Sequence, residues 1–220
     1  MASTNTNRPN GFRASRYLDG SPYNGAVEAY CFSASQANNA YIGDAVQVDD
    51  TNRASALTDR YLPGVQFIKP VVAAVTTTAI RGFIAGFVPE PDFSMSATAS
   101  LGLKYRALST ARYAWVVHDY HVIFTGQEDG QSYVSATNNA LNRTADIAYT
   151  AGSSTTGISG AQMDSSDVQE AAARPLRMLR YTQSPDNFGF VAADTLSYAK
   201  FDMLIANSDL AQATATQYGN

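Results

Sequence analysis

Both histidines of this 220-residue chain lie in one tetrapeptide, His118-Asp119-Tyr120-His121. Imidazoles are where metal binding or acid–base chemistry at neutral pH would start. On an extended strand, positions i and i+3 face opposite ways, so the two rings cannot share a metal without a bulge between them. Asp119 and His121 do share a face, but further ligands would have to come from Glu128 or Asp129. The expectation is two half-exposed strand histidines and no metal site. A hydrolase triad has as little support, since no G-x-S-x-G occurs and only His118 or His121 could serve as base. Glu128-Asp129-Gly130 lacks the residue spacing of a calcium loop and reads as a turn. The single cysteine, Cys31, rules out an internal disulfide and a cysteine-based zinc site; its apolar setting predicts a small buried side chain. Asn142-Arg143-Thr144 fits the N-glycosylation pattern, which has no bearing without a secretory signal. The sequence therefore predicts no catalytic residue, no metal and no cofactor.

One loop could still hold a phosphate. In YLDGSPYNGAVEAY, Tyr17–Tyr30, Gly20 and Gly25 have the separation of a phosphate-binding loop. Ala26 and Val27 stand where lysine and a hydroxyl residue would have to be. Pro22 presets φ and Asn24-Gly25 favours a positive φ, so the stretch reads as a turn.

The elements around these residues are expected to be strands. AVEAYCF alternates, AYIGDAVQVDD ends a short strand in acids, and the run from Gly64 to Pro91 is rich in Val, Ile, Phe and Thr. Gly82 and Gly86 inside that run predict bends or bulges, not a helix-packing face. Residues 111–130 read as two strands or one bent one, and RPLRMLRY and SYAKFDMLIAN as two more, separated by a turn at Ser184–Asn187. The one helix expected is MDSSDVQEAAA, residues 163–173, where Ser166 and Gln169 have capping-box spacing. The fold class is all-β, a barrel or sandwich-like body with little helix. It divides into an extended N-terminal arm and turn over residues 1–25, a single β-rich body over 26–207 and a polar tail over 208–220.

Composition points to a protein that works beside others. Only 15% of residues are charged, against roughly a quarter in ordinary globular chains. Twelve arginines stand against three lysines, with 13 tyrosines, a bias also found at protein–protein interfaces. A net charge of −4 argues against nucleic-acid or anionic-membrane partners, although Arg8, Arg13 and Arg16 cluster near the start. There is no apolar leader and no run long enough for a membrane-spanning helix, so a cytoplasmic site of synthesis is expected.

Several segments occur in a telling order: NGFRASRYLDGSPYNGAVEAY, YIGDAVQV, IRGFIAGFVPEP, YRALSTARYAWVV with IFTGQED, and LRMLRYTQSPDN. Together, from about Asn10 to Asn207, they resemble a family of tailed-bacteriophage virion proteins of the capsid-decoration, or cement, type. The resemblance implies a non-enzymatic β-barrel-like module, commonly a homotrimer, on the exterior of the expanded capsid shell, with the major capsid protein as partner. It implies that Phe12, Arg13, Asp19, Pro22, Tyr23, Asn24 and Gly25 form an N-terminal signature bracing the arm against a neighbour. Arg16 and Tyr17 join that contact set. Arg106, Arg112 and the turn Gln127-Glu128-Asp129 would be structural in the barrel. The chain departs from the family pattern at His118-Asp119-Tyr120, where an acidic, proline-containing turn is expected. The alternative reading is a tail-associated module binding a receptor or glycan, with the tyrosines as stacking platforms.

Overall fold

Alternating and β-branched segments form eleven strands in the computed structural model, which describes residues 5–49, 65–72, 79–88, 104–130, 141–170, 174–187 and 197–210. They are β1 Arg13–Tyr17, β2 Glu28–Phe32, β3 Ala45–Val48, β4 Phe67–Pro70, β5 Gly82–Phe87 and β6 Arg112–Val117. After these come β7 Val122–Gln127, β8 Thr144–Ala148, β9 Gln162–Gln169, β10 Leu176–Tyr181 and β11 Lys200–Ile205. The described residues contain no helix, and the all-β expectation holds.

Two assemblies divide the strands. A five-stranded barrel closes in the order β2-β4-β3-β5-β6, with β6 returning to β2. A six-stranded sheet runs β1-β7-β11-β10-β8-β9. The stretch expected as two strands or one bent one is thus two strands, and its turn carries the chain from barrel to sheet.

The strand period sorts side chains between three apolar clusters. Tyr30, Phe32, Val46, Ile68, Ile84, Ala114 and Val116 fill the barrel. Their neighbours Phe83, Val117 and Ala45 point out of the barrel onto the sheet, meeting Val122, Phe124, Phe201, Met203, Met178 and Met163 in the largest core. Cys31 is buried, as expected, in a smaller cluster with Phe67 and Tyr113.

The two glycines of β5 do different things. The β5–β6 register shifts between Ile84 and Gly86, the expected bulge. At Gly82 the need is close approach, because a Cβ there would lie 2.1 Å from the Val117 carbonyl oxygen. Of the sheet's edge strands, β9 carries a register shift against β8 and the carboxylates Asp164 and Asp167, which discourage pairing with another chain.

Two sequence expectations are corrected. Residues 162–169 are strand, not helix; 171–173 lie outside the described residues. Ser166 does not cap a helix: its N–H and hydroxyl both donate to Asp164 Oδ1, at 2.9 and 2.6 Å. Ser165 is drawn to Asp129, and Met163 and Val168 point into the core, so side-chain bonds and tertiary burial override the capping spacing. The second correction concerns the arm. Residues 13–17 are the edge strand of the body's own sheet, paired with β7. The chain before it is held as well: Arg8 N–H donates to Gln127 Oε1 at 2.9 Å, and Gln127 Nε2 donates to the Thr6 carbonyl at 2.9 Å. Gln127 accordingly serves the sheet and the N-terminal segment, not the barrel as expected.

Candidate functional site

The eight residues expected to touch a partner fall into three groups. Phe12 is core: 2% exposed, its ring 4.7 Å from Phe83, its N–H donating to the Gly43 carbonyl at 3.0 Å. It anchors the N-terminal segment inside the molecule and has no face for a neighbour. Arg13 and Arg16 are half-buried and work within the chain. Arg13 bonds Asn10, while Arg16 reaches across β7 to Asp202 Oδ2 at 2.5 Å. Asp202, on β11, also accepts from Arg180 at 2.9 Å and Thr182 at 2.9 Å, so one buried carboxylate ties β1, β11 and β10 together.

Tyr17, Asp19, Pro22, Tyr23 and Asn24 lie together on the surface, on a loop that is firmly braced. Tyr17 N–H donates to the Ser21 carbonyl at 2.9 Å and Gly20 N–H to the Tyr17 carbonyl at 3.0 Å. Asp19 Oδ1 accepts from the Ser21 N–H at 2.8 Å and from its hydroxyl at 2.7 Å; the backbone bond from Ser21 leads in holding this carboxyl below its ordinary range. Tyr17 Oη donates to Asn24 Oδ1 at 2.7 Å, and Tyr23 Oη donates to the Ala26 carbonyl at 2.5 Å. Gly25 has a φ of 81°, the turn conformation expected of Asn24-Gly25.

A second element completes this surface, and the sequence reading had set it aside. The β6–β7 connection docks on the loop through Leu18 N–H donating to the His121 carbonyl at 2.8 Å. His118 and His121 sit in this connection, not on one strand. His121 Nδ1 lies 3.2 Å from Asp119 Oδ1, and His118 Nδ1 lies 2.9 Å from Tyr30 Oη and 3.0 Å from Glu28 Oε2. No three histidine, cysteine or carboxylate side chains among the described residues are grouped to hold a metal. Between loop and connection opens a cleft of about 640 Å³ lined by Tyr17, Leu18, Asp19, Ser21, Asp119 and His121. Leu18 and Tyr120 stand half in solvent beside it, at 52% and 51% exposure.

Other ionisable groups are structural. Glu128, expected in a turn, is fully buried and accepts from the Gly130 N–H at 2.8 Å and the Ala199 N–H at 3.3 Å. Asp44 accepts from the Tyr41 N–H at 2.8 Å and from the Ser159 hydroxyl, and burial pushes it up to about 6. Asp146 shares the Arg174 guanidinium with Asp167; burial, reinforced by Asp167, pushes it up to about 7 despite that cation. Burial raises Glu128 too. These groups hold protons in the folded chain at pH values where the unfolded chain has lost them, so folding is weakened as pH rises through that window. Asp186 has the opposite sign: bonds from Lys200 and Ser184 lower it to about 2. Burial opposes the shift at Asp202, but Arg180, Thr182 and Arg16 together carry it down. Their contribution is lost as the medium becomes strongly acid. Thermal unfolding should therefore give a higher midpoint near about pH 5 than near about pH 7.5. A midpoint rising from the first value to the second would contradict this assignment.

Comparison of the chain with protein-family models, with curated proteins and with solved structures finds no match in any of the three.

Proposed function

We propose that this chain is a structural virion protein that binds the exterior of a tailed-phage capsid shell, as a homotrimer, and stabilises it without catalysis. The ordered series of segments that resembles the decoration family is the starting point of this reading. The observation that carries it further is the state of the LDGSPYNG loop. It is cross-braced by its own side chains, held to the body by β1 and the β6–β7 connection, and exposed at Leu18, Asp19, Pro22 and Asn24. A surface fixed before binding loses little entropy on docking, which suits a protein that must add stability at many copies. Arg112 and Arg106 support the same reading by stiffening the barrel. Arg112 lies over the Phe87 ring at 4.9 Å, and Arg106 over Phe32 at 5.5 Å.

Co-sedimentation with undecorated heads of the cognate virus tests the proposal. Saturable binding to expanded heads, with none to unexpanded proheads, is the expected outcome. Binding to neither refutes a decoration role, and purified virions carrying only a few dozen copies would do the same. Sedimentation equilibrium of the free protein checks the trimer.

A further inference from the structure

Asparagine followed by glycine is the dipeptide most open to reaction of a chain with itself, because glycine has no side chain to keep its nitrogen from the neighbouring carboxamide. The sequence holds two such pairs, Asn10-Gly11 and Asn24-Gly25, and the fold treats them differently. Asn24 and Gly25 are both exposed, in the LDGSPYNG loop. Asn24 Oδ1 accepts from the Ala26 N–H at 3.1 Å and from Tyr17 Oη at 2.7 Å. The first bond closes a ring that contains the Gly25 nitrogen, so the carboxamide is folded back over that amide. Both donors meet the oxygen on which negative charge would gather if the nitrogen attacked Cγ. Among the described residues, no acceptor holds the Gly25 N–H. A Cβ on Gly25 would meet nothing within 4 Å, so the turn has room to rearrange and water can reach it.

At the other pair the same groups are engaged elsewhere. Asn10 Oδ1 accepts from Arg13 Nη2 at 3.0 Å, and the Phe12 N–H, two residues on from Asn10, donates to the Gly43 carbonyl at 3.0 Å. The Asn10 carboxamide is thus drawn away from the Gly11 amide. Gly11 is buried, and a Cβ there would lie 2.7 Å from both the Gly43 carbonyl oxygen and Ser159 Cβ, which leaves the chain no space to bend into a ring.

We propose that Asn24 is a site of spontaneous deamidation in the folded protein, and that Asn10 is not. The Gly25 nitrogen forms a bond to Asn24 Cγ, the Cγ–Nδ2 bond breaks, and the Gly25 amide proton leaves with Nδ2 as ammonia. The five-membered imide then takes up water. Opening at Cγ gives aspartate at position 24; opening at the main-chain carbonyl gives isoaspartate, with the chain rerouted through the side chain. Either product puts a new carboxylate on the loop, and isoaspartate also removes the ring closed on Ala26. The exposed surface of the loop therefore changes charge with the age of the protein. This inference does not rest on the shell-binding reading.

The test incubates the full chain at mildly alkaline pH, once folded and once in denaturant, and maps both asparagines by peptide mass spectrometry. In the folded chain, conversion at position 24 should outrun that at position 10 by at least about tenfold. Denaturant should bring the two rates within about twofold of each other, because it removes the positioning that separates them. Asn24→Gln would have to close a larger ring, and should abolish the early release of ammonia from the folded chain. Equal rates at the two positions in the folded chain overturn the proposal. So does conversion at position 24 that appears only in denaturant.

Discussion

Replacing Arg106 by methionine is expected to cost about 3–5 kcal/mol of folding stability. This guanidinium is completely buried and acts as the organiser of the loop between β2 and β3. Its Nε donates to the Thr110 carbonyl at 2.7 Å, and Nη2 donates to the carbonyls of Ser33 at 2.7 Å and Gln36 at 3.0 Å. Nη1 donates to the carbonyl of Asn38. Methionine fills a similar volume but leaves four carbonyls without these donors, in a place where desolvation makes each loss expensive. Lysine should recover only part of the difference, because one ammonium cannot reproduce the fork that spans these oxygens. Denaturant unfolding followed by the fluorescence of Trp115, the only tryptophan, measures this directly. A loss under about 1 kcal/mol would show that water replaces the guanidinium without penalty.

Gly82→Ala should be at least as damaging. The added Cβ would meet the Val117 carbonyl oxygen at 2.1 Å, its carbon at 2.9 Å and the His118 Cα at 3.0 Å. All three are main-chain atoms, so no rotamer change relieves the contact, and β5 must separate from β6 in the barrel wall. A loss of about 3 kcal/mol or more is expected, with the variant recovered mainly as insoluble protein. Gly86→Ala, four residues along the same strand, provides the contrast. Its nearest neighbour would be Trp115 Cδ1 at 4.0 Å, an ordinary contact. That variant should stay within about 1 kcal/mol of wild type, since a shorter list of unfolded conformations offsets any local strain. Similar losses for both would show that the bulge at Gly86 is as intolerant as the close approach at Gly82.

These two positions mark what sequence alone could reveal. Gly82 and Gly86 were legible as strand glycines because they interrupt a β-branched run, yet nothing in that run tells a bulge from a backbone collision. The strands were legible because their period of two places Phe83 and Ile84, or Val116 and Val117, on opposite sides of one wall. The split into barrel and sheet was not, since it depends on pairings between residues far apart in the chain. MDSSDVQ misled because its capping-box spacing is a local signal, and its serines spend their bonds on Asp164 and Asp129 instead. Phe12 misled for another reason: the resemblance set it in a signature bracing the arm against a neighbour, and its partner is the molecule's own core. At the candidate site, the loop was visible in its own residues. Its second wall was not, because Asp119 and His121 join it only through the turn that connects the two assemblies.

The placement of β1 has a consequence for the order in which the molecule is made. All five barrel strands lie between Glu28 and Val117, so the barrel has every strand it needs before the rest of the sheet leaves the ribosome. Strands β7 to β11 then follow as a second contiguous series. Only β1 breaks this sequence: synthesised first, it pairs through Arg13 with Thr125, on a strand made after the whole barrel. Until then Phe12 has the Phe83 face of the barrel but not the Phe124 face of the sheet. Loop closure over such a span is slow compared with local pairing. The loop that follows β1 therefore waits for β7 and can take its final position only after the whole barrel has been made.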